Sequence, residues 1–449
     1  MIGTVRVTEN TTLYNRLRDA RRLTDNLFEI VHSDALYERP IAERHRLIFY
    51  LGHLEAFDWN LFRHLHPQLR SPQPAFDHVF AFGIDPVDGG LPTDRPEDWP
   101  SESEVRSYNA GTRQQLDALF ETGHLDVNGA PSTASESTLL QVAIEHRLMH
   151  AETLAYLFHR MPYNEKVHQR QSFLAGRSAQ PQMISVPAGT ATLGLSLDSP
   201  QFGWDNEFNM HQDQVPAFRI DKFMVSNGDF LKFMLDGGYE RRLLWKDADW
   251  EWIQSEQIRQ PSFWQHQGSQ WVWRGMFEEM ELPLDWPVYA SHAEASAYAQ
   301  WAGKSLPTEA QWHRAAYGVP NGTERKYPWG SEPPTPDKGN FDFSRWDPSP
   351  VDAFPENTSA FGLAGMLGNG WEWTSSQFGP FPGFTPFPFY QGYSVNFFDG
   401  QHFVLKGGSS RTAEPLLRRS FRNWFQSHYQ YAYTGFRCVS DSSNQGQFS

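Results

Sequence analysis

Apolar residues recur at helical spacing through the first third of the chain. One stripe comprises Leu13, Leu17, Leu23, Leu27 and Ile30. Further apolar stripes cover residues 48–62, 116–120 and 138–158. Positions that repeat every three or four residues share one helix face, so each stripe predicts an amphipathic helix. Four such helices in succession predict a four-helix bundle over residues 1–165.

Residues 72–99 separate the second predicted helix from the third. They are rich in Pro, Gly and Asp, and they are too many for an ordinary turn between bundle helices. The composition predicts a lid or an active-site loop.

The pattern changes after the bundle. Residues 166–182 are polar and are predicted to be a linker. From residue 183 to 441 short strand-like segments (183–187, 403–406) and short helices (292–301, 308–317) alternate with loops rich in Gly, Pro and aromatic residues. The chain is therefore predicted to be an α+β protein of two domains.

Charge and cysteine content narrow the classes of partner. The 449 residues carry 38 basic and 53 acidic side chains, a formal net charge of -15, which argues against nucleic acid or an anionic membrane as a partner. Cys438 is the sole cysteine, which rules out an intramolecular disulfide. No signal peptide or membrane span is recognisable, so a cytoplasmic protein is expected.

Histidines supply the candidate chemistry. His146 and His150 are four residues apart within a predicted helix, so both imidazoles lie on one face and can bind one metal ion. His53 lies on the second predicted helix and is the third candidate ligand. His64 and His66 compete for that role, but the apolar residues around His53 favour its pointing inward. Iron(II) suits these ligands if O2 is the oxidant, and zinc is the rival.

Seven motifs give the second half a family resemblance. They occupy residues 186–189, 202–207, 286–288, 306–312, 368–374, 405–409 and 435–437. With these motifs the segment 184–440 resembles the formylglycine-generating-enzyme superfamily, which implies a C-type-lectin-like fold. The Trp-Glu-Trp of residues 371–373 is expected to be core rather than catalytic. The formylglycine generator itself requires two active-site cysteines, so that activity is not expected here.

The first half resembles the DinB-like four-helix bundles, whose members bind a metal through three histidines. A DinB-like bundle followed by a formylglycine-generating-enzyme-like domain is the architecture of the ergothioneine-type sulfoxide synthases, the ovothiol synthases and selenoneine synthase. The resemblance implies a non-haem iron enzyme that uses O2 to join sulfur or selenium to the imidazole carbon of histidine or hercynine. Its substrates would be hercynine, O2 and a thiol or a selenosugar.

The resemblance also assigns residues. The iron ligands fall on His53, His146 and His150. The family's pair of tyrosines, one of them the catalytic acid, matches Tyr390 and Tyr393. The Asn-Trp pair that lines the hercynine site matches Asn423 and Trp424.

Other positions depart from the family. Members that use γ-glutamylcysteine have Asp and Arg where this chain has Phe425 and Tyr429, so γ-glutamylcysteine is not expected to be the donor. Met149 replaces a Gln that touches the substrate imidazole. Residues 397–406 and 419–425 look more like selenoneine synthase than like the mycobacterial enzymes.

Two features of the C-terminal segment are candidate contacts to hercynine. Arg422 is a candidate partner of its carboxylate. The aromatic run Trp424, Phe425, Tyr429, Tyr431 and Tyr433 is a candidate enclosure for its trimethylammonium group, although ring packing explains such a run equally well.

Two other functional classes stay open. The three histidines alone would suffice for a zinc-dependent DinB-type thiol transferase, and a lectin-like domain is compatible with a non-catalytic, metal-containing binding protein. The sequence does not decide between selenium and sulfur donors.

Overall fold

The computed structural model of the chain describes residues 3–82, 91–121, 135–177, 179–268 and 270–441. It divides into two compact units. The first unit comprises residues 1–169 with the short segments 198–202 and 387–390, and the second comprises 170–197, 203–386 and 391–449. The α+β class and the two-part architecture are as expected from the sequence.

The first unit is helical. Its helices are α1 (Gly3–Phe28), α2 (Leu47–Arg63), α3 (Pro74–Phe82), α4 (Glu102–Glu121) and α5 (Glu136–Arg160). Helix α1 packs on α5, and α2 packs on α3, α4 and α5. The four long helices form the predicted bundle, whose core includes Leu17, Ile48, Leu116 and Leu154.

The prediction of a lid or active-site loop over residues 72–99 is wrong for residues 74–82, whereas residues 91–95 have no regular secondary structure. Helix α3 occupies residues 74–82, and the Phe80 side chain is fully buried in the bundle core. Residues 83–90 lie outside the described residues. Pro74 at the first position of α3 misled the sequence reading, because Pro marks a helix start as readily as a loop.

The second unit combines short helices and small sheets. The helices are α6 (Asn227–Leu235), α7 (Asp247–Ser255), α8 (His292–Trp301) and α9 (Glu309–Tyr317). The strands are β1 (Met183–Val186), β2 (Gly189–Leu193), β3 (His211–Val215), β4 (Phe218–Asp221), β5 (Trp264–Gln267), β6 (Gln270–Arg274), β7 (Glu279–Glu281), β8 (Gly370–Gln377), β9 (His402–Gly408), β10 (Asn423–Gln426), β11 (Thr434–Gly435) and β12 (Val439–Asp441).

Four sheets organise these strands, in the orders β1-β4-β12, β10-β9-β8-β11, β2-β3 and β5-β6-β7. Strand β10 pairs with β9 in antiparallel register, with Asn423 opposite Leu405 and Phe425 opposite Phe403. The sheet thereby places the segment that carries the candidate substrate residues.

Buried polar groups hold the Trp-Glu-Trp strand in the core. Trp371, Glu372 and Trp373 are all buried. The Glu372 carboxylate accepts hydrogen bonds from Arg437 (2.6 and 2.7 Å) and from the Trp312 indole (2.8 Å). These residues are a structural core, as predicted. Across the described parts of the chain, none of the helices combines the length and the apolar character that crossing a bilayer requires.

Candidate metal centre

The three predicted ligand histidines converge inside the bundle. His53 lies on α2, and His146 and His150 lie one turn apart on α5. Each offers a ring nitrogen, and the three nitrogens lie within 4.8 Å of one another. Small ring rotations bring such nitrogens to one ion at about 2.1 Å. His64 and His66, the competing candidates, are not in the group.

A hydrogen bond fixes the tautomer of His53. Its Nδ1 lies 2.6 Å from the carbonyl oxygen of Phe80. Because a carbonyl only accepts, Nδ1 must carry the proton, and Nε2 keeps the lone pair that binds a metal. The carboxylate of Glu55, two residues after His53, binds arginines rather than an imidazole.

Gly52 makes this hydrogen bond possible. A Cβ at position 52 would lie 2.5 Å from the Phe80 ring, closer than any side chain tolerates. Glycine in a helix interior costs roughly 1 kcal/mol relative to alanine. Here it lets α3 approach α2 closely enough for the Phe80 carbonyl to reach His53.

Aromatic residues of α2 cover the faces of the ligand rings. Phe49 stacks on His53 with a centroid separation of 4.7 Å, and Phe57 stacks on His146 at 3.4 Å. Tyr50 lies 5.8 Å from the ring of His150. A metal binds in the plane of an imidazole, so rings stacked on the faces exclude water and leave the nitrogen edge accessible. The sequence analysis missed these residues, although Phe49, His53 and Phe57 follow the i, i+4, i+8 spacing of one helix face.

Burial keeps the histidines neutral. It lowers the pKa of His53 to about 4, and it lowers the pKa values of His146 and His150 well below their usual range. The cause is the loss of hydration, which disfavours an imidazolium. The Nδ1 atoms of His146 and His150 are buried and have no hydrogen-bond partner among the described residues. Two buried imidazoles and one half-buried imidazole, all neutral and with polar atoms left unsatisfied, fit a metal ion that takes nitrogen ligands.

Tyr390 belongs to the same compact unit as the histidines. Its ring is half-buried and lies 5.4 Å from the ring of Phe57, which in turn stacks on His146. Met149 is half-buried on α5 between the two histidines of that helix. Tyr390 therefore contacts a ring that stacks on a candidate ligand, and Met149 directly precedes another candidate ligand in the sequence of α5.

The remaining predicted residues lie in the second unit. Tyr393 is buried and stacks on Trp204 at 4.0 Å. Trp424 packs edge-on to Tyr393 at 5.4 Å and stacks on Phe378 at 4.1 Å. Asn423 is half-buried at the start of β10. The structure thus brings Tyr393 and Trp424 together.

Phe425 and Tyr429 contact each other directly. Their rings are parallel to within 3° and 4.7 Å apart, and both are half-buried. The two positions that carry an acid and a base in the γ-glutamylcysteine-using enzymes therefore form one uncharged stack in this protein.

The aromatic run divides into different environments, which corrects the enclosure prediction for one member. Tyr431 lies edge-on to Tyr429 at 5.4 Å. Tyr433 is 1% exposed and packs between Phe263 and Tyr289. Tyr433 is core and cannot line an open enclosure.

Arg422 has a partner inside the protein. It is 3% exposed, and its guanidinium binds both carboxylate oxygens of Glu309 at 3.0 and 3.1 Å. It also donates to the carbonyl of Gly379 and lies over the ring of Phe381. Glu309 thereby occupies two of the guanidinium N–H groups that a substrate carboxylate would need for a bidentate contact. We therefore assign Arg422 a structural role.

Two family comparisons match most of the chain. The DinB superfamily matches residues 16–154, and the sulfatase-modifying factor enzyme 1-like domain matches residues 169–442. The second match alone covers more than half of the sequence. The two matches follow one another without overlap, as the two-domain prediction requires.

Individual relatives also align with most of the chain. The hercynine oxygenase of Mycobacterium tuberculosis is 34% identical over 387 residues, which cover 84% of each chain. That of Mycolicibacterium thermoresistibile is 37% identical over 319 residues, covering 68% of this chain and 69% of the relative. Ergothioneine biosynthesis protein 1 of Neurospora crassa is 27% identical over 503 residues, covering 92% of this chain and 56% of the relative. The chain belongs to the family of proteins that join a DinB superfamily domain to a sulfatase-modifying factor enzyme 1-like domain and that include the hercynine oxygenases.

Proposed function

We propose that this protein is a non-haem iron(II)- and O2-dependent oxidoreductase that joins selenium or sulfur to the imidazole carbon of hercynine, with a donor other than γ-glutamylcysteine. The observation that carries the proposal is the group of three neutral histidines, two buried and one half-buried, in a relative of hercynine oxygenases. The family relationship supports hercynine as the acceptor. The three imidazole ligands support a metal such as iron.

His53, His146 and His150 would hold the iron. All three are neutral ligands, so an ion bound by them keeps its full charge and attracts an anionic thiolate or selenolate. Iron(II) supplies redox chemistry with O2 that zinc lacks. The aromatic rings of Phe49 and Phe57 keep water from the imidazole faces.

Asn423 and Trp424 are the proposed contacts to the acceptor. The Asn423 amide offers hydrogen bonds to a carboxylate, and the indole of Trp424 attracts a trimethylammonium group by a cation-π interaction on the order of 2 kcal/mol. Trp424 is held by Phe378 and Tyr393, so its ring plane is set before substrate arrives.

The stack of Phe425 and Tyr429 supports a donor other than γ-glutamylcysteine. That dipeptide carries two carboxylates and an ammonium group, and an uncharged stack offers none of them an ion pair. A selenium donor is favoured by the resemblance of residues 397–406 and 419–425 to selenoneine synthase. A thiol donor with the same acceptor is the close alternative.

Tyr390 is the proposed proton donor and Tyr393 a supporting residue. A phenol O–H placed close to the metal can give its proton to a developing anion. Tyr393 is buried against Trp204, which suits a packing role. With a thiol or a selenol donor, one O2 balances the reaction: the imidazole C–H hydrogen and the S–H or Se–H hydrogen leave as water with one oxygen atom, and the second oxygen atom stays on sulfur or selenium.

The test is anaerobic reconstitution of the full chain with Fe(II), followed by exposure to air with hercynine and one donor at a time. The donors are cysteine, γ-glutamylcysteine and a selenosugar, and products are followed by mass spectrometry. We expect a selenium- or sulfur-bearing hercynine product with one of the donors, and none with γ-glutamylcysteine.

Two variants make the test specific. Tyr390→Phe should lower product formation strongly and divert O2 to oxidation of the donor, whereas Tyr393→Phe should have the smaller effect. Phe425→Asp combined with Tyr429→Arg should introduce activity with γ-glutamylcysteine.

Other outcomes would overturn the proposal. No product with any donor, together with tight retention of zinc, would favour the thiol transferase. Binding of hercynine that persists in a folded His53→Ala variant, without turnover in the parent protein, would favour a binding protein.

A further inference from the structure

A buried ion network joins α2 to α5 beside the metal ligands. Arg147 directly follows His146 and is fully buried. Its guanidinium donates to Glu55 at 3.0 Å, to Asp58 at 2.6 Å and to the carbonyl of Leu54 at 2.9 Å. Leu54 directly follows His53. One side chain of α5 is thus fastened at three points to the turn of α2 that carries the third histidine.

The two carboxylates also reach the other bundle helices. Arg113 of α4 binds Glu55 at 2.6 Å, and Arg21 of α1 lies 3.7 Å from Asp58. Each of these outer arginines has a further acid of its own, Asp25 for Arg113 and Asp117 for Arg21. The Asp58 side chain is buried within this network.

Stability alone does not explain such a network. Removing charges from water is costly, and buried ion pairs can often be replaced by apolar side chains without loss of stability. The directional hydrogen bonds of a guanidinium can fix one register between two helices, whereas apolar packing alone tolerates several. A shift of one residue between two helices moves a side chain by about 1.5 Å and turns it by about 100°.

We propose that Arg147 is a positioning residue: its bonds to Glu55, Asp58 and Leu54 set the slide and rotation of α5 against α2 so that His146 and His150 meet His53. The inference rests on the metal centre of the proposed function. It assigns the network a role in metal affinity and ligand geometry that is separate from its contribution to folding.

The test uses Co(II) as the probe, because its visible spectrum reports coordination geometry without any turnover. Affinity is measured by competition with a chelator in the full-length protein. Arg147→Met should weaken Co(II) binding by about 10- to 100-fold, the usual effect of removing a group that orients metal ligands. It should also change the Co(II) spectrum.

A second variant separates positioning from stability. The triple variant R147M, E55L and D58L removes the inner charges together and leaves Arg113 with Asp25 and Arg21 with Asp117. We expect it to melt near or above the parent protein. Its Co(II) affinity should nevertheless stay low. Arg147→Lys, which keeps the charge but cannot hold both carboxylates in the same geometry, should bind with intermediate affinity.

Arg437→Met is the matched control, because Arg437 is equally buried and pairs with Glu372 in the second unit. It should lower the melting temperature and leave Co(II) affinity and spectrum unchanged. Parent-like affinity and spectrum in the single or triple variant would overturn the inference, and so would failure of all three Arg147 variants to fold. Absence of Co(II) binding by the parent protein would instead count against the metal centre itself.

Discussion

The histidine group and the C-terminal aromatic segment are built in opposite ways. In the bundle, the functional groups sit on two long helices, α2 and α5. Phe49 and Phe57, which stack on His53 and His146, share with His53 one face of α2. In the second unit, Arg422, Trp424 and Tyr433 receive neighbours from distant parts of the chain. Phe425 and Tyr429 stack on each other. Arg422, for example, binds Glu309, which is 113 positions earlier.

This difference shows that sequence spacing predicts relative side-chain positions on helices but not in loops. A helix fixes the relative positions of its own side chains, so a four-residue interval already implies a shared face. A loop or short strand fixes no such relation beyond its immediate neighbours. The spacing of the histidines therefore predicts that they share a helix face, whereas the aromatic run does not by itself predict which of its members are exposed.

Removing a ligand should have the largest effect. His53→Ala leaves two imidazoles, and product formation is expected to fall by at least about a thousandfold because the metal supplies the chemistry. His64→Ala, at the end of the same helix and outside the group, should behave like the parent protein. Metal content and product yield are measured side by side. Metal retention with full turnover in His53→Ala would contradict the ligand assignment.

Arg422→Met sharpens the contrast with the second unit. The change leaves the buried Glu309 carboxylate without its main partner, so the free energy of unfolding should fall by about 3–5 kcal/mol. The KM for hercynine should change little, whereas Asn423→Ala should raise it. Denaturation curves and steady-state kinetics report the two quantities. A raised KM with unchanged stability would restore Arg422 to substrate binding.

Acid should destabilise the metal-free protein. The folded pKa of His53 is about 4, whereas an unfolded histidine titrates near 6.5. Between these values the unfolded chain binds more protons, so the free energy of unfolding falls as the pH falls. The loss from His53 alone is roughly 3 kcal/mol and is absent above about pH 6.5.

The measurement is urea denaturation of the metal-free protein at several pH values. His53→Asn should flatten the dependence. His292, whose pKa burial lowers to about 3, should add a similar loss in the second unit, so His292→Gln is the companion variant. A parent protein equally stable at pH 7 and pH 5 would contradict burial of neutral histidines.

Gly52→Ala should have the smallest of these effects. The added methyl group meets the Phe80 ring at 2.5 Å, and overpacking of this kind costs about 1–3 kcal/mol. Metal affinity should fall as well, since the Phe80 carbonyl that orients His53 must move. Adding Phe80→Leu should recover part of the stability. A stable Gly52→Ala protein with unchanged affinity would show that the close approach is dispensable.

Much of the bundle follows from the sequence. Three helical stripes lie within α2, α4 and α5, and the first lies within α1 apart from Ile30, which follows its end. The histidine group followed from the spacing of His146 and His150. The hydrogen bond from His53 to the Phe80 carbonyl could not be predicted, because residues 74–82 were predicted to be a loop. In addition, every residue has a main-chain carbonyl, so the sequence does not mark which one accepts a hydrogen bond.

The second unit was predicted in outline. The expected helices at 292–301 and 308–317 correspond to α8 and α9, and the strand-like segments correspond to β1 and β9. The burial and the partners of Arg422 and Tyr433 could not be predicted from the sequence. Each residue contacts a partner, Glu309 and Phe263 respectively, that only the fold brings near. Asp58 was hidden for the same reason, since its partner Arg147 lies on another helix.

The central claim is that three imidazoles bind one metal ion. The most direct measurement is the X-ray absorption spectrum of the Fe(II)-loaded protein at the iron edge, compared with that of His53→Ala. The account predicts scattering from three imidazole nitrogens at about 2.1 Å in the parent protein and a clear loss of imidazole scattering in the variant. An iron environment without imidazole, or one unchanged in His53→Ala, would contradict it.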